Sequence, residues 1–211
     1  MAVETEIKLT IPDRRFIERI MSDELVTQYL KTSFAETEML SRYYDTPSGA
    51  LNERKWALRL RDEGGRSVAA LKATGTLQAD SGLYLRNEWE WPAQTIESGI
   101  EGLMAQGAPP ELAGLTSGGN LVERCRLRFT RTSGLLYMPG GVRVDLAIDC
   151  GEIEAGEKRE GLLELELELL FGGREALLEL SGALREKHGL SVQLLSKYER
   201  ALRLIRSRRK R

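Results

Sequence analysis

The sequence predicts an α+β protein built on an eight-stranded antiparallel β-barrel, a tunnel with a charged interior and α-helices packed on its outside. About eight segments alternate apolar and polar residues with a period of two, which is typical of strands with one buried face. Their polar positions are almost purely charged, and several strands carry mainly one sign: basic at 59–61 and 124–128, acidic at 88–90 and 164–168. Amphipathic helices can cover the apolar faces. We therefore expect the charged faces to line the interior of a closed barrel.

The elements follow one another without a linker or a shift in composition. We expect strands, in order, at residues 3–10, 38–46, 56–62, 67–73, 83–91, 121–132, 142–149 and 162–171. Proline and glycine clusters end several of them, such as Pro47–Gly49 and Gly64–Gly65. We expect helices at 12–21 with a continuation over 25–30, at 94–118 with a break near 107–110, from 172 to about 187, and over 197–207. A charged loop is expected at 151–161, and the whole chain, 1–211, is expected to be a single domain.

Composition excludes several classes of protein. Lys and Arg number 31 against 32 Asp and Glu, so the net charge of −1 gives no global field to attract nucleic acid. Two cysteines, Cys125 and Cys150, do not make a disulfide framework, and no apolar run is long enough to span a membrane. His188 is the only histidine, which excludes a zinc site built on several histidines and weakens any Ser-His-Asp triad. We expect a soluble cytoplasmic protein, monomeric or homodimeric, that binds neither nucleic acid nor membrane.

The charged strand faces indicate what the tunnel binds. Like charges two positions apart on a strand lie about 7 Å from each other, so their repulsion has to be met by a ligand. Three alternating glutamates suit a divalent metal ion, and three alternating arginines suit a polyanion. The sequence therefore predicts a tunnel that holds a metal–polyphosphate complex.

Several short segments then resemble one known family. Glu4-Thr5-Glu6-Ile7-Lys8 is similar to the E-x-E-x-K signature of CYTH proteins, also called triphosphate tunnel metalloenzymes. Further blocks occur in the family's order: Y-Y-D-T-P (43–47), W-A-L-R-L-R (56–61), A-L-K ending at Lys72, E-W-E (88–90), R-C-R-L-R (124–128), R-V-D (143–145), E-L-E-L-E-L (164–169) and S-K-Y-E-R (196–200). The resemblance covers almost the whole chain, and the length fits a lone CYTH domain without the helical CHAD domain of some members.

The resemblance implies an activity and a cofactor. It implies hydrolysis of inorganic triphosphate (PPPi) to diphosphate and phosphate with Mg²⁺ or Mn²⁺, and some activity on polyphosphate or nucleoside triphosphates. Two relatives leave alternatives open, a class IV adenylyl cyclase and a thiamine triphosphatase, although no residue pattern marks a base or thiazolium pocket. A further alternative is a module that binds polyphosphate or metal-nucleotide without turnover.

The resemblance also implies roles for individual residues. Glu4, Glu6 and Glu168 are expected to bind the metal directly, and Glu164 and Glu166 to support it through water. The expected phosphate contacts are Lys8, Arg59, Arg61, Lys72, Arg126, Arg128 and Arg143, with Lys197 closing one end. Glu166 or Glu168 is expected to orient the attacking water, and Lys8 to assist catalysis.

Overall fold

The computed structural model describes residues 2–207 of the chain, and its β-strands form one closed sheet. The strands are β1 (Ala2–Thr10), β2 (Ala35–Asp45), β3 (Ala57–Glu63), β4 (Arg66–Gln78), β5 (Leu83–Pro92), β6 (Val122–Tyr137), β7 (Arg143–Ala155), β8 (Lys158–Phe171) and the two-residue β9 (Ser191–Val192). The sheet order is β5-β4-β3-β2-β6-β7-β8-β1-β9. An additional antiparallel pairing of β1 with β5 joins the two ends, so eight strands form a closed barrel, as predicted.

Seven α-helices accompany the barrel in the described part of the chain. They are α1 (Arg15–Met21), α2 (Glu24–Thr27), α3 (Ala50–Glu53), α4 (Ile96–Ala105), α5 (Glu111–Thr116), α6 (Arg174–His188) and α7 (Lys197–Arg206), with a 3-10 turn at Pro139–Gly141. Helix α4 packs against β3, β4 and β5, while α6 packs against β1 and β8. Within residues 2–207, no helix combines the length and apolar character needed to cross a membrane.

Two apolar clusters lie between the barrel and the helices outside it. One joins the outward side chains of β1, β7 and β8, such as Ile7 and Leu165, to α1, α2 and α6. The other joins those of β3 and β4, such as Leu58 and Leu71, to α4 and α5. The alternate residues of these strands, including Glu4, therefore face the interior. The prediction of apolar faces under helices and charged faces inside is confirmed for these strands.

Helix α7 packs on the other side of the sheet, against the inner face of β6, β7 and β8. Its residues Tyr198 and Ala201 join a third apolar cluster with Cys125, Leu127 and Phe129 of β6. Here the interior is apolar because a helix, rather than solvent or ligand, fills it. Helix α7 begins with a capping box in which Ser196 and Glu199 bond each other's backbone N–H groups.

The strands differ from expectation mainly in length. Residues 151–161 form a β-hairpin between β7 and β8, not the predicted charged loop, because Ile153 and Ala155 alternate inward into the third cluster. Strand β4 also extends past the predicted end at 73, with a register shift between Lys72 and Gly75. At Gly75 a Cβ atom would lie 2.2 Å from the Leu85 carbonyl oxygen, so only glycine fits this close approach.

Candidate active site

The barrel encloses a cavity of about 130 Å³ whose walls are mostly charged. Strands from most of its circumference contribute side chains, and the start of α7 closes one side. The lining residues are Glu4, Glu6, Lys8, Tyr43, Ala57, Arg59, Arg61, Lys72, Arg86, Glu88, Glu90, Arg131, Glu166, Glu168, Ser196, Lys197 and Tyr198.

The carboxylates of β1 are held by cations from neighbouring strands. Glu4 accepts hydrogen bonds from Lys72 Nζ (2.7 Å) and Arg86 Nε (2.5 Å). Glu6 accepts from Lys8 Nζ (2.7 Å) and Arg86 Nη2 (2.8 Å). Burial alone would raise the pKa of Glu4, but Lys72 and Arg86 outweigh it and hold that pKa well below its usual range. Glu4 is therefore an ionised carboxylate.

Glu168 has no ion pair among the described residues. It lies directly across from Glu6, another carboxylate, in the β1–β8 ladder. Burial, together with the nearby Glu4, Glu88 and Glu6 carboxylates, raises the pKa of Glu168 to about 7. Burial likewise raises the pKa of Glu88, although Lys72 lies 3.1 Å away. These two carboxylates are therefore less well compensated than Glu4.

Three arginines form the opposite kind of wall. Arg59 is 5% exposed; its Nη2 pairs with Glu90 (3.5 Å), and its Nε has no hydrogen-bond partner within residues 2–207. Arg61 donates from Nε to the Ser41 hydroxyl (3.1 Å) and makes no ion pair within the described chain. Burial and repulsion by Arg59 and Arg131 lower the pKa of Arg61 to about 10. Cationic groups this close, with N–H groups unused, suit an anionic ligand.

A network of ion pairs surrounds Lys197 at the start of α7. Its ammonium lies 2.8 Å from Asp149 and 2.7 Å from Glu166, and it also contacts Glu164. Glu164 additionally pairs with Arg200 (3.1 Å). Burial alone would lower the pKa of Lys197, but the three carboxylates raise it well above its usual range. This network fixes α7 to β7 and β8.

A second pocket, of about 280 Å³, adjoins the cavity and shares Lys72 and Arg86 with it. Trp56, Leu77 and Leu194 give it an apolar rim, and Leu77 and Leu194 are 38% and 45% exposed. A third pocket adjoins the acidic part of the cavity and shares Glu88 and Glu168 with it. The cavity thus adjoins one pocket with apolar and basic walls and one pocket with acidic walls.

Most of the residues expected in the site line the cavity. These are Glu4, Glu6, Lys8, Arg59, Arg61, Lys72, Glu166, Glu168 and Lys197. Glu164 lies behind them, fully buried between Lys197 and Arg200.

Three residues expected in the tunnel lie outside it, so that part of the prediction is wrong. Arg126 pairs with Glu123 on the outer face (2.7 Å), and Arg128 is exposed. Arg143 is also exposed, with its guanidinium 5.0 Å from the centre of the Phe171 ring. On β6 the cause is α7: the strand turns its apolar residues inward to meet the helix, so the alternate arginines face outward.

Three charged residues of the interior were not expected there. Arg86 of β5 lines the cavity beside Glu88, which the acidic pattern at 88–90 had placed inside, and the alternation of Arg86 with Leu85 marks the same strand face. Arg131 shares the inner face of β6 with Phe129, so no charge pattern marks it. Asp149, fully buried beside Arg131, reads in sequence as a turn residue.

The carboxylates fit a divalent metal ion in one part of the interior and not in another. Glu4, Glu6 and Glu168 offer hard oxygen ligands, and Glu168, which has no ion pair among the described residues, is the one whose charge a bound cation would balance. Asp149, Glu164 and Glu166 also lie within 4.8 Å of one another, but the Lys197 ammonium already occupies the centre of that group. The donor types around Glu168 therefore suit a divalent metal ion, although within residues 2–207 the carboxylate oxygens that lie close enough together to hold one are those around Lys197, where the ammonium takes the place of the ion.

Sequence comparison finds relatives along nearly the whole chain. The family model described as "CYTH domain" matches residues 2–202. A protein of Haemophilus influenzae named inorganic triphosphatase is 28% identical over 204 residues, which cover 95% of this chain and 54% of that protein. The chain thus spans about half the length of this curated relative.

Solved structures share the fold. A Hippeastrum protein, described as a proposed adenylyl cyclase with a dominant triphosphatase activity, superposes with a TM-score of 0.60 at 20% identity, over 95% of each chain. A Bacillus halodurans protein described as a proposed adenylate cyclase gives 0.54 at 16% identity, over 95% of this chain and 98% of that one. A Pyrococcus horikoshii protein gives 0.53 at 19% identity, over 94% and 98%.

Proposed function

The chain belongs to the CYTH domain family, and from this premise we propose that it hydrolyses the terminal phosphoanhydride of inorganic triphosphate, with Mg²⁺ or Mn²⁺ as cofactor. The relative named inorganic triphosphatase supports the substrate. The reaction is PPPi plus water giving diphosphate and phosphate.

The observation that carries this proposal is the cluster of Arg59, Arg61 and Arg131. Three guanidinium groups line one cavity, and the pKa of Arg61 is lowered to about 10 by burial and by its two neighbours. The repulsion of Arg61 by Arg59 and Arg131 is a cost to the free protein that a bound polyanion would remove. Phosphoryl transfer needs little covalent help from the protein beyond positioning and charge stabilisation, so such a cavity suits the chemistry.

The reaction requires a water molecule aligned with the terminal phosphorus. The water oxygen forms a bond to that phosphorus while the bridging P–O bond breaks, and the electron pair leaves with the diphosphate oxygen. We assign the water-orienting role to Glu166, which is held by Arg131 (2.5 Å) and Lys197 (2.7 Å). Burial alone would raise its pKa, but those cations hold the pKa of Glu166 well below its usual range, so it accepts hydrogen bonds as a carboxylate.

The remaining residues bind the phosphate groups and the metal ion and balance their charges. We assign the phosphate oxygens to Lys8, Arg59, Arg61 and Lys72. Glu4, Glu6 and Glu168 would hold the metal ion. When bound, the ion supplies Lewis-acid stabilisation of phosphate charge.

Glu166→Gln tests the water-orienting assignment. The amide keeps the shape but loses the charge that aligns the water, so we expect kcat for PPPi to fall about 100-fold with a smaller change in KM. Phosphate release under saturating PPPi measures this, with Glu152→Gln on the outer face as the matched control. Unchanged kcat in Glu166→Gln would remove this assignment.

The proposed activity is tested by phosphate release from purified protein with PPPi, in Mg²⁺, in Mn²⁺ and in EDTA. We expect rapid release with either metal and loss of release in EDTA. Binding of PPPi without any release would instead support a non-catalytic binding module.

The apolar pocket beside the cavity supports a second candidate, a triphosphate that carries an organic group. Trp56, Leu77 and Leu194 surround space next to the phosphate-binding Lys72, and their apolar surface would be covered by a flat ring. ATP as substrate, with an assay for cyclic AMP and for phosphate, tests this candidate. A kcat/KM for ATP that equals or exceeds that for PPPi, and that falls in Leu194→Ser, would favour it. Cyclic AMP formation would place the protein with the cyclases.

A further inference from the structure

Arg131 is the cavity arginine with the most fixed geometry. Its Nε donates to Asp149 Oδ1 and its Nη2 to Asp149 Oδ2, both at 2.7 Å, and Nη2 also donates to Glu166 Oε2 at 2.5 Å. A guanidinium has five N–H groups, and these bonds use three of them. The two N–H groups of Nη1 make no hydrogen bond in the described part of the chain, while Arg131 lines the cavity. The Nε–Nη2 edge of the guanidinium is thus held by carboxylates, while its Nη1 edge is available to a ligand.

Asp149, which accepts the hydrogen bonds of the Nε–Nη2 edge, is fully buried. It lies directly across from Arg131 in the β6–β7 ladder, and its side chain is 0% exposed. Burial alone would raise its pKa, but Lys197 and Arg131 hold the pKa of Asp149 below its usual value. It therefore stays charged and accepts from both N–H groups of the fork, a geometry that a lysine at position 131 could not match.

Arg131 shares the carboxylates that bind it with a second cation. Asp149 and Glu166 also pair with Lys197, and Glu164 pairs with Lys197 and Arg200. Three carboxylates thus face three cations, so the charges of these six groups balance. Without Lys197, Asp149 and Glu166 would face Arg131 alone, and the surplus negative charge would repel an anion beside the Nη1 edge.

We propose that Asp149 is a positioning residue for anion binding, which acts through Arg131 by orienting its guanidinium so that the Nη1 edge meets a phosphate oxygen. The ligand class, a triphosphate, rests on the proposed function. Lys197 belongs to the same device and acts on the anion through Asp149 and Arg131 rather than by contact.

A double-mutant cycle separates this role from a merely structural one. The variants are Asp149→Asn, Arg131→Gln and the pair, and the readout is the affinity for PPPi measured by calorimetry in EDTA, together with kcat and KM in Mg²⁺. We expect Asp149→Asn to weaken PPPi binding about tenfold, Arg131→Gln to weaken it by at least as much, and the pair to bind within twofold of Arg131→Gln alone. Asp145→Asn is the matched control, because Asp145 lies on the same strand face without a hydrogen bond to Arg131, and we expect a change below threefold.

A second variant keeps the test decisive if Asp149→Asn does not fold. Arg131→Lys preserves the charge and removes the fork, so we expect it to lose most of the affinity that Arg131→Gln loses. Full affinity in Arg131→Lys, or additive losses in the double-mutant cycle, would overturn the role of Asp149 while hydrolysis of PPPi stands. Non-additive losses of binding in a protein that never releases phosphate would contradict the proposed hydrolysis and support the positioning role.

Discussion

Arg61 is a residue whose surroundings disfavour its own charge. It is packed beside Arg59 and Arg131, its pKa is lowered to about 10, and a serine hydroxyl is its hydrogen-bond partner. In the free protein this arrangement costs stability, and an anion in the cavity would recover it.

We therefore expect Arg61→Gln to raise the melting temperature of the free protein by about 2–4 °C and to weaken stabilisation by PPPi. Calorimetric melting with and without PPPi measures both effects. Arg128→Gln, on the outer face of β6, is the matched control and should change neither. A free protein that melts lower after Arg61→Gln, with stabilisation by PPPi intact, would contradict this view of the cavity.

At the residue scale, sequence predicted the interior wherever the charged pattern was unbroken. Glu4, Glu6 and Lys8 alternate with apolar residues that pack under helices, so their inward direction followed from period two. Arg131 and Asp149 could not be found this way. Arg131 shares its strand face with the apolar Leu127 and Phe129. Which of these positions lines the cavity depends on where along β6 the contact with α7 ends, and the sequence does not mark that point.

At the element scale, the same helix explains why the arginine face of β6 was predicted to line the interior but lies outside. The run Arg124, Arg126 and Arg128 resembles the other charged strand faces, but a charged face lines the interior only where no helix fills it. Here α7 lies inside, so Cys125 and Leu127 face it, while Arg126 and Arg128 lie on the outer face. Both β6 and α7 have amphipathic patterns, and their apolar faces pack together. The local sequence does not indicate whether that contact lies inside or outside the barrel.

Helix α7 depends on the ammonium of Lys197. Removing it would leave Asp149, Glu164 and Glu166 buried without their shared partner, so we expect Lys197→Met to destabilise the protein by about 3–5 kcal/mol. Urea unfolding followed by circular dichroism measures this. Lys158→Met is the control, because Lys158 caps the carbonyls of Leu204 (2.9 Å), Ile205 (3.1 Å) and Ser207 at the other end of α7 without a carboxylate partner there, and it should cost about 1 kcal/mol. Equal losses in both variants would refute the special role of Lys197.

Asp23 links α2 to α6 and makes stability depend on pH. Its carboxylate caps Leu25 N–H (2.9 Å) and binds Lys187 (2.8 Å) and His188 (2.7 Å). Burial alone would raise its pKa, but these partners lower the pKa of Asp23 below the unfolded value of 3.8. A lowered folded pKa means that the carboxylate stabilises the fold above about pH 4, and that this contribution is lost as pH falls through the folded value.

We expect Asp23→Asn to lower the free energy of unfolding at pH 7 by about 1–2 kcal/mol and to make the loss of stability below pH 4 shallower. Urea unfolding between pH 2.5 and 7 measures this, with the exposed Glu97→Gln as control. A variant that loses stability below pH 4 as steeply as the wild type would show that Asp23 is not the group responsible.

At the scale of the whole molecule, closure of the barrel determines what the interior can do. Closure of β1 on β5 brings Glu4, Arg86 and Lys72 together from distant parts of the chain, while the β1–β8 ladder sets Glu6 across from Glu168. Acidic and basic groups thus share one small space away from bulk water, where their effect on a bound phosphate is strongest. The number of strands and the closed barrel could be predicted from the sequence, whereas the division of the interior between α7 and the cavity required the structure.

Hydrolysis of PPPi in water enriched in ¹⁸O tests the central claim most directly, because the claim is that water attacks the terminal phosphorus of a triphosphate held in this cavity. With Mg²⁺ present, we expect mass spectrometry to find one ¹⁸O atom in the phosphate product and none in the diphosphate, at a rate that Arg61→Gln lowers and Arg128→Gln does not. Label in the diphosphate, or no hydrolysis of PPPi with either metal, would contradict it.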